Sequence, residues 1–385
     1  MSIPRPELAP PAHPIERLPE EWAEHLKALG EPSYRGKQIF DWIHRRGVFD
    51  PEEMTNLPKT LRARLTEEWQ ALPLSVSKAH QARDKTRKLL LALPDEKEIE
   101  TVLIPMLERF DPDAVDEETF DLDAREPSST ITQCISSQVG CAMGCVFCAS
   151  GVAGLKRHLS AAEIVGQVLL ARTLIDENER IRNIVFMGMG EPLHNYDQVA
   201  RALVLLTHPD GLNLSKRRVT LSTSGLVPQI DRLGRDFGGQ VALAISLHSV
   251  SDARRSEIMP INRKHGLAEL MRCLERYPLP KRRRITIEYT LIHGVNDSLR
   301  EADELVRLLR RIPAKVNLIP MNPISESDLS APSHESVLAF QKRLFDRGLP
   351  AFIRRERGGE VDAACGQLAL HGAAPRKKHL RTVQL

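Results

Sequence analysis

The chain has 385 residues, 42% hydrophobic and 27% charged, with a formal net charge of +3, a composition that excludes a disordered or collagen-like polymer. No apolar run approaches the roughly 18–20 residues that cross a bilayer, and the opening MSIPRPELAPPAHPIERLP lacks the apolar core of a signal peptide. A cytoplasmic protein with no membrane partner is expected. Six cysteines in so long a chain are no disulfide framework, and a reducing compartment suits them.

In chain order, residues 1–15 are proline-rich and read as a mobile lead. Residues 16–75 read as a helical module, with helices predicted over 20–29, 34–45 and 57–69, punctuated by Gly30-Glu31-Pro32 and by Gly47 with Asp50-Pro51. Its cations Arg35, Lys37, Arg45, Arg46, Lys59, Arg62 and Arg64 either face RNA or form an ordinary solvated surface. Residues 76–129 hold two β-like runs, 86–93 and 98–104, joined by Pro94-Asp95-Glu96-Lys97 as a hairpin, followed by an acidic stretch from Glu108 to Glu126 predicted as an exposed loop.

From residue 130 to about 370 short apolar strands alternate with amphipathic helices. Strands are predicted at 131–135, 183–187, 219–222, 241–246, 285–289, 316–319 and 351–353, and helices at 161–174, 196–206, 267–276, 299–311 and 334–347. Repeated βα units imply a parallel sheet, and the fold class is α/β: a partial TIM-like (βα)6 barrel with a small N-terminal helical domain and a β-hairpin extension. Residues 371–385 form a basic tail. Chemistry is expected just past the C-terminal ends of the strands.

Cys141, Cys145 and Cys148 stand in the spacing C-x3-C-x2-C, with the small residues Ala142 and Gly144 between them. Three thiolates so spaced can wrap three corners of a 4Fe–4S cluster. The fourth iron is then open to chelate the amino and carboxylate groups of S-adenosylmethionine (SAM), the radical SAM arrangement. A structural zinc site would want a fourth ligand, and no second C-x2-C pair is present. Three buried free thiols are the plain alternative.

Each following strand ends in small or hydrogen-bonding residues: Gly188-Met189-Gly190-Glu191-Pro192, Ser222-Thr223-Ser224-Gly225, Ser246-Leu247-His248 and Pro320-Met321-Asn322-Pro323. Glycines allow close backbone approach to a ligand, and Glu191 or its neighbouring carbonyl can face the ammonium group of SAM. Singly, Ser222, Ser246 and Asn322 read as turn or cap residues and His248 as a packed imidazole. Together on one rim they read as a cofactor pocket. Two isolated thiols, Cys134 and Cys365, meet if the barrel brings its last loop beside its first strand; otherwise they are core fillers, as Cys273 is in its helix.

The combination CISSQVGCAMGCVFCASG, GMGEPLHN, STSG, SLHS, IMPIN, NLIPMNP and DAACGQL, together with YRGKQIFDWI near the start, resembles the radical SAM RNA methyltransferases of the RlmN type over almost the whole chain. The resemblance implies methylation of adenine C2 in 23S rRNA near the peptidyl-transferase centre, and of the adenosine 3′ of the anticodon in some tRNAs. It implies one 4Fe–4S cluster held by Cys141, Cys145 and Cys148, two SAM molecules per turnover, and SAM contacts at Gly190, Glu191, Ser222, Ser246, Leu247, His248 and Asn322. It makes Cys365 the cysteine that is itself methylated, Cys134 its resolving partner through a disulfide, and Glu100 a proton acceptor. A flavodoxin-like electron donor and a monomeric chain follow from the same resemblance.

The implied chemistry uses both lone thiols. Adenine C2 is electrophilic and cannot simply accept the methyl cation of SAM, so Cys365 first takes a methyl group by displacement. A 5′-deoxyadenosyl radical then removes hydrogen from that methyl, the carbon adds to the ring, and attack by Cys134 on the Cys365 sulfur releases the product and leaves a disulfide. The base must leave its stack to enter such a barrel, and basic runs at 216–218, 281–284, 354–357 and 376–378 are candidates for holding phosphates. Two rivals stand: Cfr-like methylation of C8, against which Pro192 and Ser224 speak, and a non-catalytic RNA- or ribosome-binding protein, against which the five cysteines speak. The acidic stretch is longer than the compact RlmN connection and would repel RNA if it lay near the rim.

Overall fold

The computed structural model describes residues 6–107, 127–324, 327–354, 357–364 and 366–368; the acidic stretch, Cys365 and the basic tail lie outside them. The N-terminal module contains α1 (Pro19–Ala28), α2 (Arg35–Phe40), which runs into a π-helical turn at Asp41–Arg46, and α3 (Lys59–Glu68). α1 and α2 touch through Gly36, where a Cβ would stand 2.6 Å from the Pro19 carbonyl oxygen. Trp22 stacks on Trp69 at 6.0 Å and closes the module's own core.

A meander follows: β1 (Ser75–Gln81), β2 (Arg87–Ala92) and β3 (Glu98–Leu107). The expected hairpin is thus three-stranded. β1 escapes sequence reading because Ser-Val-Ser-Lys-Ala-His-Gln is mostly polar and exposed along its length. β3 pairs antiparallel with β4 (Pro127–Cys134), setting Val102 opposite Cys134.

From β4 onward the chain alternates as expected. After a small hairpin, β5 (Gln138–Val139) and β6 (Arg157–His158), which brackets α4 (Ala149–Ala153), come α5 (Ala161–Arg172), β7 (Arg180–Phe186), α6 (Tyr196–Thr207), β8 (Val219–Thr223), α7 (Val227–Phe237) and β9 (Ala242–Ser246). Then follow α8 (Asp252–Ile258), α9 (Leu267–Glu275), β10 (Ile285–Leu291), α10 (Leu299–Leu309), β11 (Ala314–Pro320), α11 (His334–Asp346) and β12 (Ala351–Ile353). All but β5 and β6 form one ten-stranded sheet in the order β1-β2-β3-β4-β7-β8-β9-β10-β11-β12, parallel from β4 to β12. The architecture is the expected partial barrel of six βα units, with β12 as a short seventh strand.

Among the described residues no strand pairing closes the barrel. Past β12 the chain crosses back over the opening: Gly358 N–H donates to Asp84 Oδ2 at 3.2 Å, Lys88 Nζ reaches the Asp362 carbonyl at 3.4 Å, and Ala149 N–H donates to the Gly366 carbonyl at 2.8 Å. The last segment therefore returns beside the first strands through hydrogen bonds rather than as another strand.

The helical module is strapped to the barrel. Arg201 of α6, fully buried, grips the Glu21 carboxylate with both Nη atoms at 2.8 and 2.9 Å and donates to the carbonyls of Ala9 and Glu16. Ala9, within the lead expected to be mobile, and Glu16, the first residue of the module, are held by these bonds. Six of the seven module cations named above have intramolecular partners: Arg35 with Glu31, Lys37 with Asp210, Arg45 and Arg46 with Asp41, Arg62 with Glu52, and Arg64 with the Leu29 carbonyl. These partners lie within the module, except that Lys37 reaches Asp210 of the barrel.

Candidate active site at the strand ends

The cysteine loop turns at Gly140 (φ 73°) and Gly144 (φ 67°), left-handed positions that glycine adopts without strain. It is fixed from three sides. Val146 N–H donates to the Ile258 carbonyl at the end of α8, Gly151 packs so closely that a Cβ would lie 2.9 Å from Cys145 N and O, and Ala149 N–H holds Gly366. Cys141, Cys145 and Cys148 all line one cavity of about 160 Å³. Burial, together with the neighbouring thiols, pushes Cys141 and Cys145 well above the ordinary thiol range. Desolvated thiols gathered this way become thiolates only when a metal centre takes the place of their protons. Among the described residues no three His, Cys, Asp or Glu side chains are arranged to hold a single metal ion. The donor set suits three corners of a larger cluster.

The opposite wall of the cavity is built from the strand ends. Gly190, Ser222, Ser246, His248 and Asn322 line it, as expected, and so does Glu191. The Glu191 carboxylate, however, is occupied: Oε2 accepts from Ser224 N–H at 2.7 Å and from Ser224 Oγ at 2.8 Å, while Oε1 accepts from Leu193 N–H. Burial is the largest influence and raises its pKa. Of the two ways Glu191 was expected to face SAM, the backbone around Gly190 is the one left available. Gly190 itself, at φ 106°, lies against Gln138, where a Cβ would come within 2.6 Å of the Gln138 Cβ.

His248 sits at φ 54° and is buried; its Nδ1 accepts from Thr290 N–H at 2.8 Å, and its ring meets Phe147 edge-on at 4.7 Å. Desolvation brings its pKa down to about 3, so it presents a neutral ring with Nε2 as donor. It is both a packed imidazole and part of the wall. Leu247 lies behind the wall, its N–H given to the Glu288 carbonyl and its own carbonyl accepting from Ser249 N–H and Arg255 Nε.

Sequence reasoning missed Glu288 and Arg255. Glu288, in the middle of β10, is buried and lines the cavity; Oε1 accepts from Asn317 Nδ2 at 3.0 Å, whereas Oε2 has no hydrogen-bond partner among the described residues. Burial raises its pKa. A charged residue within an otherwise apolar parallel strand was the available signal. Arg255 is the core of α8 and is described below.

Glu100 stands on β3 two residues before Val102, the residue that the β3–β4 ladder sets opposite Cys134. Thr101 Oγ1 donates to the Cys134 carbonyl at 2.7 Å, and Ser136 Oγ donates to the Glu100 carbonyl at 2.6 Å. No disulfide joins any of the described cysteines, and Cys365, the expected partner of Cys134, lies outside the described residues. Its neighbours are placed: Gly366 lines the cavity beside Cys148, and Gln367 Nε2 bonds the Pro323 carbonyl. A second cavity, about 910 Å³, adjoins the first through Ile319, Met321, Asn322 and Arg354, and opens between β11, β12 and the 357–364 segment. The runs 216–218 and 281–284 precede β8 and β10; they stand at the N-terminal ends of the strands, on the face away from both cavities.

Comparison with known proteins agrees with this geometry. The Radical SAM superfamily matches residues 135–309, and the ribosomal RNA large subunit methyltransferase N-terminal domain matches residues 19–70. The chain is 59% identical to the dual-specificity RNA methyltransferase RlmN of Sorangium cellulosum, over 95% of this chain and 97% of that protein. It is 45% identical to the corresponding protein of Geobacter sulfurreducens, over 91% and 89%. A crystal structure of a radical SAM methyltransferase from Sphaerobacter thermophilus superposes with a TM-score of 0.83 at 44% identity, covering 93% of this chain and 99% of that one. With cluster loop, strand-end pocket and N-terminal module all accounted for, the chain belongs to the RlmN family of radical SAM RNA methyltransferases.

Proposed function

We propose that the protein methylates C2 of an adenosine in 23S rRNA near the peptidyl-transferase centre, and of the adenosine 3′ of the anticodon in some tRNAs, using a methyl group carried on Cys365. The observation that carries this reading is the docking of the Cys365 segment on the cysteine loop, through the Ala149–Gly366 bond at the cavity mouth. It brings a lone thiol's immediate neighbours to the place where three clustered thiols face a cofactor-sized pocket.

The family works with one 4Fe–4S cluster and SAM, which when bound supply the methyl group and a 5′-deoxyadenosyl radical. Cys141, Cys145 and Cys148 would hold the cluster. The Gly190 backbone, Ser222, Ser246, His248 and Asn322 would seat SAM, while Glu191, itself part of the wall, and Leu247 behind it hold the strand-end loops in shape. The larger adjoining cavity suits an unstacked base and its flanking nucleotides, with Arg354 and Arg357 on its wall for phosphate. Glu100 would take the proton lost from the ring carbon. Once the adduct's unpaired electron had passed back to the cluster, Cys134 would attack the Cys365 sulfur, the product carbon would leave with the bonding pair and take up a proton to become the methyl group, and the disulfide formed would be left for a flavodoxin-like or other donor to reduce. The need to restore two thiols each turnover fits an enzyme of the reducing cytoplasm.

The test is mass spectrometry of a Cys134→Ala variant purified with its RNA. An RNA adduct on Cys365 is expected, and nucleoside analysis of RNA modified by the intact enzyme should give 2-methyladenosine. No adduct, or 8-methyladenosine in its place, would overturn the assignment.

A further inference from the structure

Arg255 is wholly buried, yet among the described residues none of its hydrogen bonds goes to a carboxylate. Nε donates to the Leu247 carbonyl at 3.0 Å, Nη1 to Asn262 Oδ1 at 2.8 Å, and Nη2 to the carbonyls of Ser224 at 2.7 Å and Ser246 at 3.0 Å. Every acceptor is neutral. A buried guanidinium satisfied only by dipoles keeps its full charge in a poorly solvated place, which is costly unless an anion shares the site. The carboxylate whose charge it feels, Asp252, is exposed, with Oδ1 spent on Asn262 Nδ2 and Leu267 N–H at 2.8 Å each.

The cysteine loop, which would hold an anionic cluster, is bonded to the helix that carries Arg255. α8, which carries Arg255, ends at Ile258, whose carbonyl holds Val146 N–H, the residue after Cys145. Arg255 Nη2 also holds the carbonyls of Ser224 and Ser246, and both of these residues line the cavity that Cys141, Cys145 and Cys148 line. A three-thiolate 4Fe–4S cluster is anionic, and reduction adds a further negative charge. A fixed buried cation stabilises the more negative state.

We propose that Arg255 is the charge-compensating residue of the cluster, raising its reduction potential so that it accepts the electron that SAM cleavage requires. It is a positioning residue as well, tying together the Ser224, Ser246 and Leu247 carbonyls of two strand-end loops, but the electrostatic role is separable. This rests on Cys141, Cys145 and Cys148 being the cluster ligands.

The experiment is an EPR-monitored redox titration of the full chain after anaerobic reconstitution, with iron and sulfide quantified first. Arg255→Gln should lower the midpoint by at least about 59 mV, a tenfold change in the reduced-to-oxidised ratio of a one-electron couple. Arg255→Lys, which keeps the charge and loses the fork, should recover most of that shift. Asp252→Asn, which keeps the Oδ1 acceptor and removes a negative charge, should move the midpoint the other way, by less because Asp252 is exposed. Equal shifts in the Gln and Lys variants, or a midpoint unmoved in Arg255→Gln, would overturn the proposal with the ligand assignment intact. If Arg255→Gln fails to load a cluster, Asp252→Asn decides, and a null or negative shift there sinks it. Wild-type iron content in Cys145→Ala would instead sink the ligand assignment.

Discussion

Lys88 Nζ lies 3.0 Å from Glu100 Oε1, an ion pair with side-chain exposures of 9% and 1%. Both residues belong to the antiparallel extension, on β2 and β3, and Lys88 also reaches the Asp362 carbonyl. The extension thus supplies the proposed proton acceptor, its counter-charge and a tie to the segment before Cys365. Removing one partner of a buried pair strands the other charge, at about 3–5 kcal/mol. Lys88→Met should lose stability of that order in urea unfolding, and Lys88→Arg much less. A Met variant within about 1 kcal/mol of the wild type would show that the pair is solvated in solution.

Gly151 lets α4 rest on the cysteine loop. With a Cβ 2.9 Å from both Cys145 N and O, Gly151→Ala must displace backbone rather than a flexible side chain. Its iron incorporation on reconstitution should fall several-fold while far-ultraviolet circular dichroism is retained. Wild-type iron content would mean that the loop absorbs the methyl group.

Glu288 offers to the cavity a buried oxygen that has no hydrogen-bond partner among the described residues. A ligand donor that satisfies such an oxygen is worth about 1–3 kcal/mol. Glu288→Ala should weaken SAM binding to the reconstituted protein by about tenfold in equilibrium dialysis, with iron content unchanged. Unaltered affinity would leave Glu288 as a structural residue of the barrel interior.

His44 is buried in the helical module, its Nε2 donating to the Ile15 carbonyl at 2.9 Å, and desolvation brings its pKa to about 3 from 6.5. A depressed folded value means that the neutral ring contributes full stability above pH 6.5 and loses it as pH falls towards 3. Between pH 7 and pH 5 the loss from this one group is about 2 kcal/mol. In His44→Gln the fall in unfolding free energy over that interval should be smaller by this amount; an identical fall would mean that the ring is hydrated.

The parallel core was legible because buried strands such as Asn-Ile-Val-Phe and Leu-Ala-Ile-Ser carry their pattern in the sequence, and the helices between them carry amphipathic periodicity. β1 was not legible, since an exposed edge strand has no apolar alternation to read. At the site, the cysteine spacing and the strand-end motifs named the wall residues. They did not reveal that Glu191 is spent on Ser224 or that Leu247 faces away, because hydrogen-bond partners thirty residues apart leave no local signature. Arg255 was hidden for the same reason: an arginine in a helix reads as solvated until its acceptors are seen. The basic runs at 216–218 and 281–284 stand at the far end of the strands, a placement that their charge alone did not reveal.

The open sheet has one more consequence. Ten strands with two unclosed ends offer two templates on which another copy could pair and grow into insoluble aggregates. β1 blunts one end with Lys78 and His80 and with a break in register between Val76 and Lys78. At the other, β12 is only three residues long, too short to nucleate much pairing. A single charge-removing change at Lys78 would therefore be felt first in shelf life and expression yield, long before it touched catalysis.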